Sequence, residues 1–140
     1  MAKSHKYELI NNKSGAIAEA KRYLANAKET IAKSPISSTG KIYEDAKYIR
    51  EGSGIAYLAA LKAIDGWLLG KGEQPDKLPK SIEEYWAVRK KIPYDGKFSD
   101  NLVLAYQNLH IGGYYQGLIS VSTIKEGLKA VRDIIELLEN

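Results

Sequence analysis

The sequence predicts an all-α protein, an up-and-down bundle of four long helices plus one short helix. Two observations carry this. Apolar residues recur at helical spacing along most of the chain, and no stretch alternates polar and apolar residues as a half-buried strand would. Turn-forming clusters ("KSPISSTG", "KGEQPDKLPK" and "PYDGKF") then divide the periodic stretches.

In the first helix Ile10, Ile17, Leu24 and Ile31 recur every seven residues, with Ala20 and Ala27 between them. In the second, Ile42, Ala46, Ile49, Ser53, Ala56, Ala60, Ala63 and Trp67 alternate steps of four and three, the seam of helices packed nearly antiparallel. Each of these two is expected to run about 28 to 30 residues, roughly 45 Å at 1.5 Å per residue. "EGSG" (51–54) is a point where the second can bend, and Gly70 or Gly72 is its stop. Ser81 with Glu84 forms a capping box for a short helix from Ser81 to Ile92. Ser99 or Asp100 caps the fourth helix, which reaches Gln116 with Leu102, Ala105, Leu109 and Gly112 on one face. Thr123 with Glu126 is the capping box of the last, whose seam is Ile124, Leu128, Val131, Ile135 and Leu138.

The 140 residues read as a single helical-bundle domain, 1–140, long enough to bury a core without staples. Cysteine is absent, which excludes a disulfide framework and thiolate metal sites. The N-terminus has no apolar run of signal-peptide length. The longest apolar segment, around "IAYLAALKAIDGWLL", is interrupted by Lys62 and Asp65. A soluble, cytoplasmic protein without membrane contact is expected. The formal charge of +4 is carried mostly by lysine, with arginine only at positions 22, 50, 89 and 132, so bidentate phosphate recognition is poorly supplied.

The fourth helix holds the one unusual stretch, "NLHIGGYYQG" (108–117). Tyr106, His110 and Tyr114 lie four apart, a stripe of polar-tipped rings, and adjacent Gly112 and Gly113 sit where helix stability is lost. Two adjacent glycines imply close approach of another helix or a ligand to the backbone. The small residues Ser53, Ala56, Ala60 and Ala63 point to helix two as that neighbour. The candidate ligand-binding residues are therefore Tyr106, Asn108, His110 and Tyr114, with Tyr57 and Lys62 facing them from helix two. The competing reading gives the glycines a packing role only, with the ring tips bonded to nearby backbone. Ten tyrosines against one phenylalanine suit either a base-stacking platform or amphipathic edges and interfaces.

Other motifs fail on chemistry. A bundle di-iron site needs Glu-x-x-His, whereas Gln107-Asn108-Leu109-His110 begins with a neutral side chain, so no metal and no cofactor are expected. "EGSGIA" lacks the first glycine of a nucleophile elbow, and "GWLLGKG" is one residue too short for a phosphate loop and lacks its terminal Ser/Thr.

From Ile55 to Asn140 the chain resembles the HEPN-like superfamily of prokaryotic helical bundles. The residues that carry the likeness are "IAYLAALKAIDGWLLGKG", "SIEEYWAVRKKI", "NLVLAYQNLHIGGYYQG" and "STIKEGLKAVRDIIELLE". The resemblance implies a four- or five-helix bundle, often a homodimer, in a group of toxins, RNases and nucleotidyltransferase partners. Its active ribonucleases carry an arginine a few residues before a histidine. His110 takes the histidine's place, but Val103, Leu104 and Ala105 stand where the arginine would fall. Without a guanidinium to stabilise phosphodiester charge, the resemblance implies a degenerate, non-catalytic binding or accessory module, dimeric, with a nucleotide, RNA or protein as partner. Two alternatives remain: an RNA- or nucleotide-directed enzyme with an unconventional site on His110, and a purely structural interaction module.

Overall fold

A computed structural model describes residues 11–93 and 96–140. Ile10, and the centre of the "PYDGKF" turn at Tyr94 and Asp95, lie outside the described residues. The protein is all-α, with five helices: α1 (Lys13–Ala32), α2 (Ala46–Gly70), the short α3 (Ile82–Val88), α4 (Lys97–Ala105) and α5 (Val121–Glu139). The helix of α4 continues without a break into a π-helical segment, Tyr106–Tyr115. Among the described residues there are no strands, only isolated bridges between Ile36 and Tyr43 and between Ile42 and Ser120.

The order is up and down. Gly52 of α2 lies against Ala27 and Ile31 of α1 while Gly66 lies against Ala16 and Ile17, so these two helices run antiparallel. The π segment runs antiparallel to α2, with Gly117 at Arg50, Gly113 on Ser53 and His110 beside Tyr57, and α5 runs antiparallel to it, with Gly113 near Ile124 and Gly127 on Leu109. One apolar cluster joins all of them, including Leu24 and Ile31, Ile49 and Ile64, Leu102 and Leu109, and Ile124 and Leu138. The apolar periodicity thus marks the buried faces, and the small residues of "EGSG" serve close helix contact within an unbroken α2.

The ends differ from expectation where local chemistry competes. Helix α1 covers 20 described residues, starting after Asn12, whose side chain accepts from the Gly15 amide at 2.8 Å. Ile42 is not on the α2 seam: Asp45 caps α2 by accepting from Lys47, so Ile42 is left in the preceding loop and exposed. The stop of α2 is Gly72, whose φ of 96° admits the bond from Glu73 N–H to the Leu68 carbonyl at 3.0 Å. Ser81 and Glu84 do cap α3, Ser81 Oγ accepting from Glu84 N–H at 3.2 Å, but the helix narrows to a 3₁₀ turn after Val88. Neither Ser99 nor Asp100 caps α4; the left-handed Gly96 precedes it. Ser120, one turn ahead of the expected Thr123–Glu126 box, caps α5 by accepting from Thr123 N–H at 3.4 Å. In the α5 seam, Leu128 is only half-buried and Gly127 takes the contact with Leu109. No described helix is long and apolar enough to cross a membrane.

Candidate functional site: an aromatic groove on a π-helical turn

The answer to "NLHIGGYYQG" is a change of helix type. In the π segment N–H groups reach back five residues, as Gln116 does to Ile111 at 3.0 Å. Such segments are rare and concentrate at functional sites. The wider turn has a direct consequence for His110. Its ring stacks on Tyr106 at 5.4 Å and on Tyr114 at 5.9 Å, four residues either way, and also meets Tyr115 edge-on at 5.2 Å. At 3.6 residues per turn, side chains five apart diverge, so an α-helix would not bring Tyr115 to His110. Tyr57 of α2 closes the group at 4.9 Å from His110, and Trp86 of α3 meets Tyr106 at 5.4 Å.

The glycines make room for this segment. A Cβ at Gly113 would overlap the side chain of fully buried Ser53, and one at Gly112 would lie 3.1 Å from the Gln107 carbonyl. Ser53 Oγ has no hydrogen-bond partner among the described residues, a cost accepted for close contact. The segment's last carbonyls are satisfied from across the bundle. Arg50 Nη1 donates to the Tyr114 and Tyr115 carbonyls at 3.0 and 2.9 Å, and Gly117 at φ 65° leaves space where a Cβ would strike the guanidinium. Substituting Arg50→Ala is expected to cost about 1 kcal/mol, since the bonds are exposed. Hydrogen exchange at the Gln116 and Leu118 amides should quicken; unchanged protection of both would show that Arg50 does not hold this end.

His110, Tyr57 and Tyr114 line a groove of about 430 Å³ with Gly54, Leu58 and Ile82, and Glu51 stands at its edge. That volume lies in the range of ligand pockets, and the lining is mainly apolar. Leu58 and Tyr114 are 52% and 46% exposed although both are large and apolar. His110 is half-buried, and burial lowers its pKa below the ordinary value, so the imidazole is neutral at pH 7. Neither ring nitrogen has a hydrogen-bond partner among the described residues. Burial, with Tyr106 adding to it, pushes the Tyr57 hydroxyl up to about 12, so it stays a proton donor.

Of the residues singled out in the sequence, Tyr57, Tyr106, His110 and Tyr114 come together, with Tyr106 behind His110. Gly112 and Gly113 are the close-packing positions. Asn108 points elsewhere, its Nδ2 donating to the Thr123 carbonyl at 3.0 Å and tying this helix to α5. Lys62 lies where its charge acts on Asp65, outside the groove lining. Among the described residues no group of histidine and carboxylate side chains could hold a metal ion.

Sequence reasoning missed the buried pair Asp65–Tyr85. Asp65 is 9% exposed, and Tyr85 Oη donates to its Oδ1 at 2.9 Å. Burial pushes the Asp65 carboxyl up to about 6, against the opposing pull of the Tyr85 bond and Lys62. Burial, followed by the carboxylate's charge, raises Tyr85 well above the ordinary tyrosine range. The available signal was an acid flanked on both sides by apolar residues, in "AIDGW".

No curated protein matches this sequence. Among solved structures, a protein of unknown function from Dyadobacter fermentans superimposes with a TM-score of 0.74 at 30% identity, over 89% of this chain and 94% of that one. It shares the bundle, and its description adds nothing about chemistry. A family model described as "Domain of unknown function (DUF5618)" matches residues 15–140, the stretch that contains all five helices except the first two residues of α1, and the chain belongs to that family.

Proposed function

We propose that this protein is a non-catalytic binding module of the HEPN-like kind, working as a homodimer, in which the aromatic groove seats apolar groups of the opposite copy. The observation that carries the reading is the half-buried His110 with unpartnered ring nitrogens in the wall of an otherwise apolar groove. An apolar body fills such a space, and one polar group fixes its orientation. The rings of Tyr106 and Tyr114 flank His110 in near-parallel orientation and compete with a base for stacking on the imidazole. The same surface offers projections as well as a hollow: Tyr115 is 62% and Leu118 38% exposed beside it. A self-complementary patch is what a two-fold dimer needs.

Light scattering of the wild type and of Leu58→Glu tests this, paired with ring-proton NMR of His110. The expected result is a wild-type dimer, a monomeric Leu58→Glu with an unchanged melting temperature, and His110 protons that shift on dissociation. A wild type that stays monomeric at millimolar concentration removes the dimer. Cleavage of a short RNA that is lost in His110→Ala would replace the non-catalytic reading with the enzymatic one.

A further inference from the structure

A second cleft, lined by cations, shares no residue with the aromatic groove. Helix α1 packs mainly on α2, and α5 on α2 and α4, each more than on the other, and between α1 and α5 is a cleft of about 500 Å³. Lys28 of α1 and Lys125, Lys129 and Arg132 of α5 line it, and among the described residues no acid does. Its floor is apolar: Ile31, Leu128 and Ile36, the last 46% exposed. Arg132 is paired with Asp133 at 3.2 Å, whereas the three lysines have no ion pair among the described residues. Like charges one turn apart on an exposed helix work against its stability, so folding alone does not account for the row.

We infer that this cleft is a docking site for an acidic amphipathic segment of a partner protein. The three cations of α5, Lys125, Lys129 and Arg132, lie seven residue steps apart from first to last, about 10 Å of helix, which is more than a single anionic head covers and matches carboxylates spaced one turn apart on a facing helix. The apolar floor separates this occupant from a nucleic-acid backbone, which would neutralise the rim and leave Ile31, Ile36 and Leu128 uncovered. An apolar side chain between the partner's carboxylates covers them.

The probe is a blocked model helix of leucine, alanine and glutamate, its leucines on one face flanked by glutamates, titrated into methyl-labelled full-length protein. Its glutamine counterpart and a short RNA are the comparisons. The acidic helix is expected to shift the methyls of Ile31, Ile36 and Leu128, and to bind about tenfold more weakly to Lys125→Glu/Lys129→Glu. Binding should persist in Leu58→Glu, which separates this cleft from the aromatic groove. Equal binding of the glutamine helix, tighter binding of the RNA at these methyls, or no response of the cleft methyls to the acidic helix would each overturn the inference.

Discussion

Substituting Gly113→Ala should destabilise the protein by about 2–3 kcal/mol, although alanine is the better helix former by about 1 kcal/mol. The reason is the contact with α2. A Cβ at position 113 would fall 2.5 Å from the Ser53 Cβ and 3.1 Å from Ile124 Cδ1, besides overlapping Ser53 Oγ. Turning the Ser53 hydroxyl moves its oxygen but not its Cβ, so the two helices must separate. Separation also draws Tyr114 away from Gly54, where the ring edge lies 3.1 Å from the Cβ position, and so distorts the groove. Ser53→Gly in the same chain restores the space and should recover most of the loss. Denaturant melts of the double-mutant cycle measure this coupling. A Gly113→Ala protein as stable as the wild type would mean that the glycine is not there for the helix contact.

The second large effect depends on pH. Asp65 has a folded-state pKa of about 6 against the ordinary 3.8, because burial penalises its charge more than Tyr85 and Lys62 relieve it. The folded chain therefore holds this proton more tightly than the unfolded chain. Its contribution to stability is complete below about pH 4 and is lost as pH rises through about 6. Asp65→Asn keeps the oxygen that accepts from Tyr85 and removes the charge. Relative to wild type it should be close to neutral at pH 4 and more stable by about 2 kcal/mol at pH 8, a full two-unit shift being worth somewhat more. Taking the difference between the two proteins cancels the other titrating groups. Parallel stability curves from pH 4 to 8 would show that Asp65 titrates normally.

The buried faces of the helices were legible in the sequence because burial imposes its period directly on residue type. Ala20, Ala27, Ala56, Ala60 and Ala63 are all fully buried, as their spacing predicts. The stripe Tyr106–His110–Tyr114 and the closeness of Gly113 to α2 were legible for the same reason. Helix ends were less so, because several hydroxyls and carboxylates compete for each cap and the loop geometry chooses among them: Ser120 took the place of Thr123, and Asp45 left Ile42 outside α2.

By itself, then, the sequence determined the all-α bundle, the faces that meet in it, and the ring stripe with its glycines. Only the tertiary structure decided that this stripe lies on a π-helical turn, which brings Tyr115 to His110 and needs Arg50 from another helix to close its end. It alone turned Asn108 and Lys62 away from the groove, buried Asp65 under Tyr85, and gathered Lys28 with the cations of α5. These arrangements join residues of separate helices. A one-dimensional pattern records which face a residue occupies, but not what lies opposite it.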